Sequence, residues 1–193
     1  KHEMDTRKVA AIFAYPSYTA YSGILGVLFS GKGYVPLNPN FPLDRTRNMV
    51  ALSRSNVIIV GKECWEQFKE LLPLMEDGMT VILPDITQID NVFKDYPKHK
   101  FVLADEVAGQ QTNILIPDIN EENTAYLLFT SGSTGIPKGI AISHMSVYSY
   151  VEYICQRYNV NEHDRFSQAF DMTFDLSVHD MFVCWQRGAC LYC

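Results

Sequence analysis

Residues 130 to 139 read TSGSTGIPKG, and these ten positions hold three glycines, the hydroxyls of Thr130, Ser131, Ser133 and Thr134, and the ammonium of Lys138. Glycine lets a backbone turn through positive φ and approach a ligand closely, and successive free amides form a concavity that holds anions. The hydroxyls add donors and Lys138 adds a point charge, so the stretch suits a phosphate. Gly and Ser also mark ordinary polar turns between strands, and local composition leaves that reading open.

Two familiar phosphate motifs do not fit. A Walker loop places glycine before its lysine and Ser or Thr after it, where this sequence has Pro137 and Gly139, and the strand-like IAIS follows where a helix should begin. The dinucleotide fingerprint GxGxxG fails because Gly132, Gly135 and Gly139 stand three and four residues apart.

The stretch FTSGSTGIPKG instead resembles, without mismatch, the signature [YF]TSG[ST]TGxPKG of the adenylate-forming, or AMP-binding, enzymes. Upstream, GKGYVPLNPNFPLDR resembles the family segment AGxAYVPLDPxxPxxR through Gly31, Tyr34, Val35, Pro36, Leu37, Pro39, Pro42 and Arg45. It departs at Gly33, where alanine is usual, and at Asn38, where aspartate is usual. FDLSVHDMF, from Phe174 to Phe182, resembles the FDxSVxxxF segment of amino-acid adenylation domains of nonribosomal peptide synthetases, not the histidine-led segment common in acyl-CoA ligases. The resemblance runs from about Val9 to the end.

That resemblance implies ATP-dependent activation of an amino-acid carboxylate to an aminoacyl-adenylate with release of pyrophosphate, then transfer to the phosphopantetheine thiol of a carrier protein or carrier domain. It implies that Thr130, Ser131, Gly132, Ser133, Thr134, Gly135 and Lys138 hold the β- and γ-phosphates of ATP, with Mg2+ sharing the charge and no metal ligand assigned to the chain. Asp175 matches the aspartate that pairs with the substrate α-ammonium; as a favoured N-cap residue it could equally cap the helix that starts nearby. Phe174, Leu176 and His179 match pocket-lining positions, with core packing as the alternative for Phe174 and His179. His144 receives no role. A stand-alone acyl or D-alanine ligase of the same family and a non-catalytic remnant are the competing readings. The family's adenine-stacking segment, ribose-binding aspartate, hinge and C-terminal domain have no counterpart in residues 1–193. The chain thus reads as part of the larger N-terminal subdomain, cut from a longer protein, with no separate C-terminal domain and no turnover expected of it alone.

The elements that must position these residues alternate. VAAIFA from Val9 is a short apolar run before Pro16 and predicts a buried strand; Tyr21, Ile24, Leu25 and Leu28 recur at helical spacing up to Gly31. Strands are expected at 57–60, 80–83, 101–103, 125–129, 140–143, 166–170 and from Ala189, with helices over 43–52, 144–158 and 177–187, while Tyr34 to Leu37 leads into NPNFP, whose prolines forbid regular structure. On the 144–158 helix, Tyr148, Val151, Tyr153 and Ile154 are expected in the core. This alternation predicts an α/β fold with mainly parallel sheets flanked by helices.

Composition agrees with a packed domain, at 47% apolar and 20% charged residues. A net charge of −6 and the absence of a basic stripe argue against nucleic acid as partner. Five cysteines without regular spacing predict reduced, structural thiols, including the lone Cys190–Cys193 pair, and the sequence has no membrane-length apolar run. A soluble, cytoplasmic protein without a membrane partner is the expectation.

Overall fold

The computed structural model describes residues 9–89, 92–109, 117–130 and 137–193. Its strands are β1 (Val9–Phe13), β2 (Gly33–Leu37), β3 (Val57–Val60), β4 (Thr80–Leu83), β5 (Lys100–Leu103), β6 (Thr124–Thr130), β7 (Lys138–Ser143), β8 (Arg165–Ser167) and β9 (Cys190–Tyr192). The helices are α1 (Tyr18–Phe29), α2 (Leu43–Ser53), α3 (Trp65–Leu71), α4 (Val92–Asp95), α5 (Ala104–Ala108), α6 (His144–Tyr158), α7 (Leu176–Val178) and α8 (Cys184–Gln186). A π-helical stretch, His179–Val183, joins α7 to α8.

Seven strands form one sheet in the order β5-β4-β3-β1-β2-β6-β7. All neighbours run parallel except β7, which pairs antiparallel with β6. The exception has a simple cause: a parallel return needs a crossover of about a dozen residues or more, whereas β6 and β7 are joined by residues 131–137 alone. The expectation of a mainly parallel sheet holds, and Thr130 and Lys138, which lie within the glycine-rich stretch, are facing partners at the ends of β6 and β7. β8 and β9 form a separate parallel pair. The expected strand over 166–170 is shorter and starts earlier, because Asp171 and Asp180 draw the chain after Ser167 into side-chain-bonded turns.

β1 is buried along its whole length, and its alternating side chains serve two cores. Val9, Ala11 and Phe13 pack with Met49 and Val50 of α2 and with Trp65, Phe68 and Leu71 of α3. Ala10 and Ile12 pack on the other face with Ala20, Ile24 and Val27 of α1 and with Val178 and Met181. The result is a three-layer α/β/α arrangement.

Caps set the helix ends. The Ser17 hydroxyl accepts from the Ala20 amide at 3.2 Å, and α1 stops where Gly31, at φ +76°, turns the chain so that Lys32 N–H reaches Val27 O at 3.2 Å. Ser143 caps α6 by accepting from Ser146 N–H at 3.3 Å. On α6 only part of the expected core face is inside: Val151 is buried and Ile154 packs against it, but Tyr148 and Tyr153 are 63% and 57% exposed. Among the described residues no helix is long and apolar enough to cross a membrane.

The registers bring the C-terminal ends of β1, β2, β3 and β6 to one edge of the sheet. In open parallel sheets that edge is where ligands bind.

Candidate functional site

β6 carries Thr130 to the edge, and β7 starts back from it at Lys138, so the two residues are cross-strand partners. The Thr130 hydroxyl donates to the Lys138 carbonyl at 3.5 Å, and both side chains are exposed. The exposed Lys138 side chain stands at this edge beside the end of β6. Ser131, Gly132, Ser133, Thr134 and Gly135 lie outside the described residues.

The second group of expected residues follows a turn built on Asp171. One oxygen of its carboxylate, Oδ1, accepts from the Thr173 amide at 2.9 Å and the Thr173 hydroxyl at 2.5 Å. The Phe174 amide donates to the Asp171 carbonyl at 2.9 Å. This side-chain-to-backbone turn leads straight into α7. Met172 and Thr173 are buried, so the turn is held from below while Phe174, Asp175 and Leu176 emerge on the surface.

Exposure and capping geometry bear on the alternative readings of Phe174 and Asp175. Phe174 is 61% and Leu176 48% exposed, which core residues are not. Asp175 stands at the N-cap position of α7 but makes no side-chain capping bond; its backbone carbonyl accepts from Val178 N–H at 3.0 Å. Its carboxylate is left to face its surroundings. Burial first, and then the Asp175 charge, raises the phenol pKa of both Tyr126 on β6 and Tyr150 on α6.

His179, at the start of the π-helical stretch, is half-buried, and its Nδ1 lies 2.9 Å from the Tyr150 hydroxyl. The ring is hydrogen-bonded to the Tyr150 hydroxyl and meets the Tyr150 ring edge-on. π-helical insertions often mark functional positions because they shift a side chain off the ordinary helical face.

A separate cleft of about 270 Å3 opens between α1, β6, α6 and α8, lined by Leu25, Leu28, Tyr126, His144, Val147 and Trp185 among others. It takes in none of Phe174, Asp175, Leu176 or His179. Burial lowers the His144 pKa, which favours the neutral ring there.

Sequence reasoning did not find Tyr150 or Asp171. Tyr150 contacts His179 across 29 positions and carries no local pattern. Asp171 did have a local signal, an Asp two residues before a Thr at the approach to a helix, which is the pattern of such a turn.

The family model described as AMP-binding enzyme matches residues 2–193. The nonribosomal peptide synthetase SIDC of Beauveria bassiana is 31% identical over 193 residues, covering 98% of this chain and 4% of that protein. Indigoidine synthase of Dickeya dadantii is 32% identical over 173 residues, covering 90% of this chain and 11% of that protein. Among solved structures, the adenylation domain AlmE of Vibrio cholerae, crystallised in complex with glycyl-adenosine-5'-phosphate, superposes with a TM-score of 0.81 at 31% identity, over 96% of this chain and 35% of that one. The chain therefore spans about a third of that structure and a small part of the longer relatives. With a family-model match across residues 2–193, the chain belongs to the AMP-binding, adenylate-forming enzymes.

Proposed function

We propose that the chain supplies the phosphate-binding loop and one wall of the acid pocket in an enzyme that activates an amino acid as its adenylate and passes it to a carrier thiol. The observation that carries this reading is the arrangement at the sheet edge: β6 ends at Thr130 opposite Lys138 of β7, and the Asp171 turn that presents the exposed Phe174 and Asp175 is hydrogen-bonded to Asn38, just beyond β2, the strand beside β6. A carboxylate at the start of α7 and a hairpin end that would hold phosphate would serve the two ends of the reacting pair, an α-ammonium and a nucleotide. That AlmE holds an aminoacyl-adenylate supports the same reading.

In the proposed reaction the amino-acid carboxylate attacks the α-phosphate of ATP and pyrophosphate leaves, so the task of the protein is positioning and charge stabilisation rather than supplying a nucleophile. Thr130, Ser131, Gly132, Ser133, Thr134 and Gly135 would donate hydroxyls and amides to the β- and γ-phosphates, with Lys138 as the fixed cation. The donor set at the tip, hydroxyls and an ammonium without a carboxylate, suits phosphate oxygens. Mg2+ brought with the nucleotide would neutralise further phosphate charge. Asp175 would pair with the substrate ammonium, a contact that strengthens once water is excluded. Phe174, Leu176 and His179 would line the pocket around the amino-acid side chain.

Amino-acid-dependent exchange of pyrophosphate into ATP tests this function. The full-length protein carrying the chain should catalyse exchange with at least one amino acid, and residues 1–193 alone should not. No exchange by the full-length protein with any amino acid would overturn the reading.

A further inference from the structure

The loop after β2 is tied down from several sides. The Gln67 amide donates to the Pro39 carbonyl at 2.6 Å, the Tyr15 hydroxyl donates to Asn40 Oδ1 at 3.1 Å, and the Arg45 guanidinium covers the Phe41 ring at 3.9 Å. Within it Asn38 uses both ends of its amide. Its Oδ1 accepts from Asn40 N–H at 2.7 Å, and its Nδ2 donates to Asp171 Oδ2 at 2.6 Å. Asp171 is the residue whose other oxygen builds the turn into Phe174 and Asp175. Asn38 is also one of the two positions where this sequence departs from the segment it otherwise resembles.

We propose that Asn38 and Asp171 form a positioning clamp that requires one amide and one carboxylate, and that fixes the Phe174–Asp175 wall against the edge of the sheet for amino-acid binding. The proposal rests on the function assigned above. Its chemistry is a matter of donors and acceptors. An aspartate at position 38 could still accept from Asn40, but its second oxygen would stand against Asp171 Oδ2, placing two carboxylates at hydrogen-bond distance in a half-buried site. An asparagine at position 171 opposite Asn38 would set two amide NH2 groups face to face, or, if flipped, would present NH2 to the Thr173 amide. Exchanging both residues restores every bond. The amide now at position 171 would donate to the carboxylate now at position 38 while keeping its oxygen on Thr173, and that carboxylate would still accept from Asn40. Because the Asp171 turn carries Phe174 and Asp175 and not the hairpin tip, a broken clamp acts on the amino acid and not on ATP.

The test compares Asn38→Asp, Asp171→Asn and the double exchange with the parent, in the full-length protein, by pyrophosphate exchange. Asn38→Asp should raise KM for the amino acid about tenfold or more, as a like-charge contact at this range implies, with KM for ATP changed less than about twofold. Asp171→Asn should raise the same constant, and the double exchange should return to within about threefold of the parent, since coupled neighbours are not additive. A double exchange no better than the worse single variant, or an Asn38→Asp protein with unaltered amino-acid KM, would overturn the clamp. If the parent supports no exchange at all, the functional reading fails separately. Thermal unfolding of the same four proteins then decides the pair: lowered Tm in both single variants with recovery in the double supports it, and additive losses sink it.

Discussion

The Tyr150 hydroxyl and His179 Nδ1 are 2.9 Å apart, and their rings meet edge-on with centroids separated by 6.0 Å. The contact ties the middle of α6, the helix that follows the β6–β7 hairpin, to the first residue of the π-helical stretch beyond Asp175.

Tyr150→Phe keeps the ring contact and deletes that bond. The expected loss of stability is about 0.5–1.5 kcal/mol, towards the low end because the tyrosine is 44% exposed and water replaces part of the interaction. Urea unfolding measures it. In pyrophosphate exchange by the full-length protein, KM for the amino acid should rise while KM for ATP stays, because His179 and not the hairpin tip loses its anchor. Equal shifts in both constants would contradict this placement of His179.

Gly33 backs onto β6 so closely that a Cβ would stand 2.6 Å from the Thr124 carbonyl oxygen and 3.0 Å from its Cγ2. Backbone cannot yield as a flexible side chain does, so Gly33→Ala should destabilise the chain by about 1–3 kcal/mol, the usual range for overpacking. At roughly 2–4 °C per kcal/mol for a chain of this size, thermal unfolding resolves the change easily. Alanine is usual here in the family segment, so an unchanged Tm would mean that β2 and β6 separate at little cost.

His99 is 6% exposed, and its Nδ1 accepts from the Met79 amide at 3.2 Å. Burial, and then the Lys98 charge, lowers its pKa below the ordinary histidine value. The folded state then binds fewer protons than the unfolded state as pH falls through the ordinary histidine range, so stability is full above that range and declines below it. His144 is shifted the same way by burial. Replacing His99 with Asn, whose Oδ1 can take over as acceptor, should flatten the fall in Tm between neutral and mildly acidic pH, with the His144 contribution remaining. A slope identical to the parent would show that His99 is not the group responsible.

The strands were legible because short apolar runs bounded by Pro, Gly or polar turns leave few alternatives, and β1 shows it: every residue of VAAIF is buried. The glycine-rich signature stands out because its residues are consecutive, although Ser131 to Gly135 lie outside the described residues. Helix faces were less so. Tyr148 and Tyr153 fit a helical period, but burial depends on what stands opposite, and α6 meets its neighbours mainly through Val151 and Cys155. Contacts over long separations were not legible at all, since nothing at Asn38 points to a partner 133 residues away.

Asp175 gives a test that needs no substrate as well as one that does. Its charge is the second cause, after burial, of the raised pKa values of Tyr126 and Tyr150. A nearby anion disfavours a phenolate, so Asp175→Asn should lower both titration midpoints while leaving them above the ordinary phenol value, because burial is unchanged. NMR titration with labelled tyrosine reads both directly, and immobile midpoints would remove Asp175 from the vicinity of β6. In the full-length protein the same substitution removes the proposed counter-charge of the substrate ammonium. Amino-acid-dependent exchange should then fall at least about a hundredfold, the range for deleting one partner of a desolvated charge pair, while ATP binding persists. Loss of ATP binding in parallel would place Asp175 at the nucleotide, and full activity on an amino acid would remove it from the acid pocket.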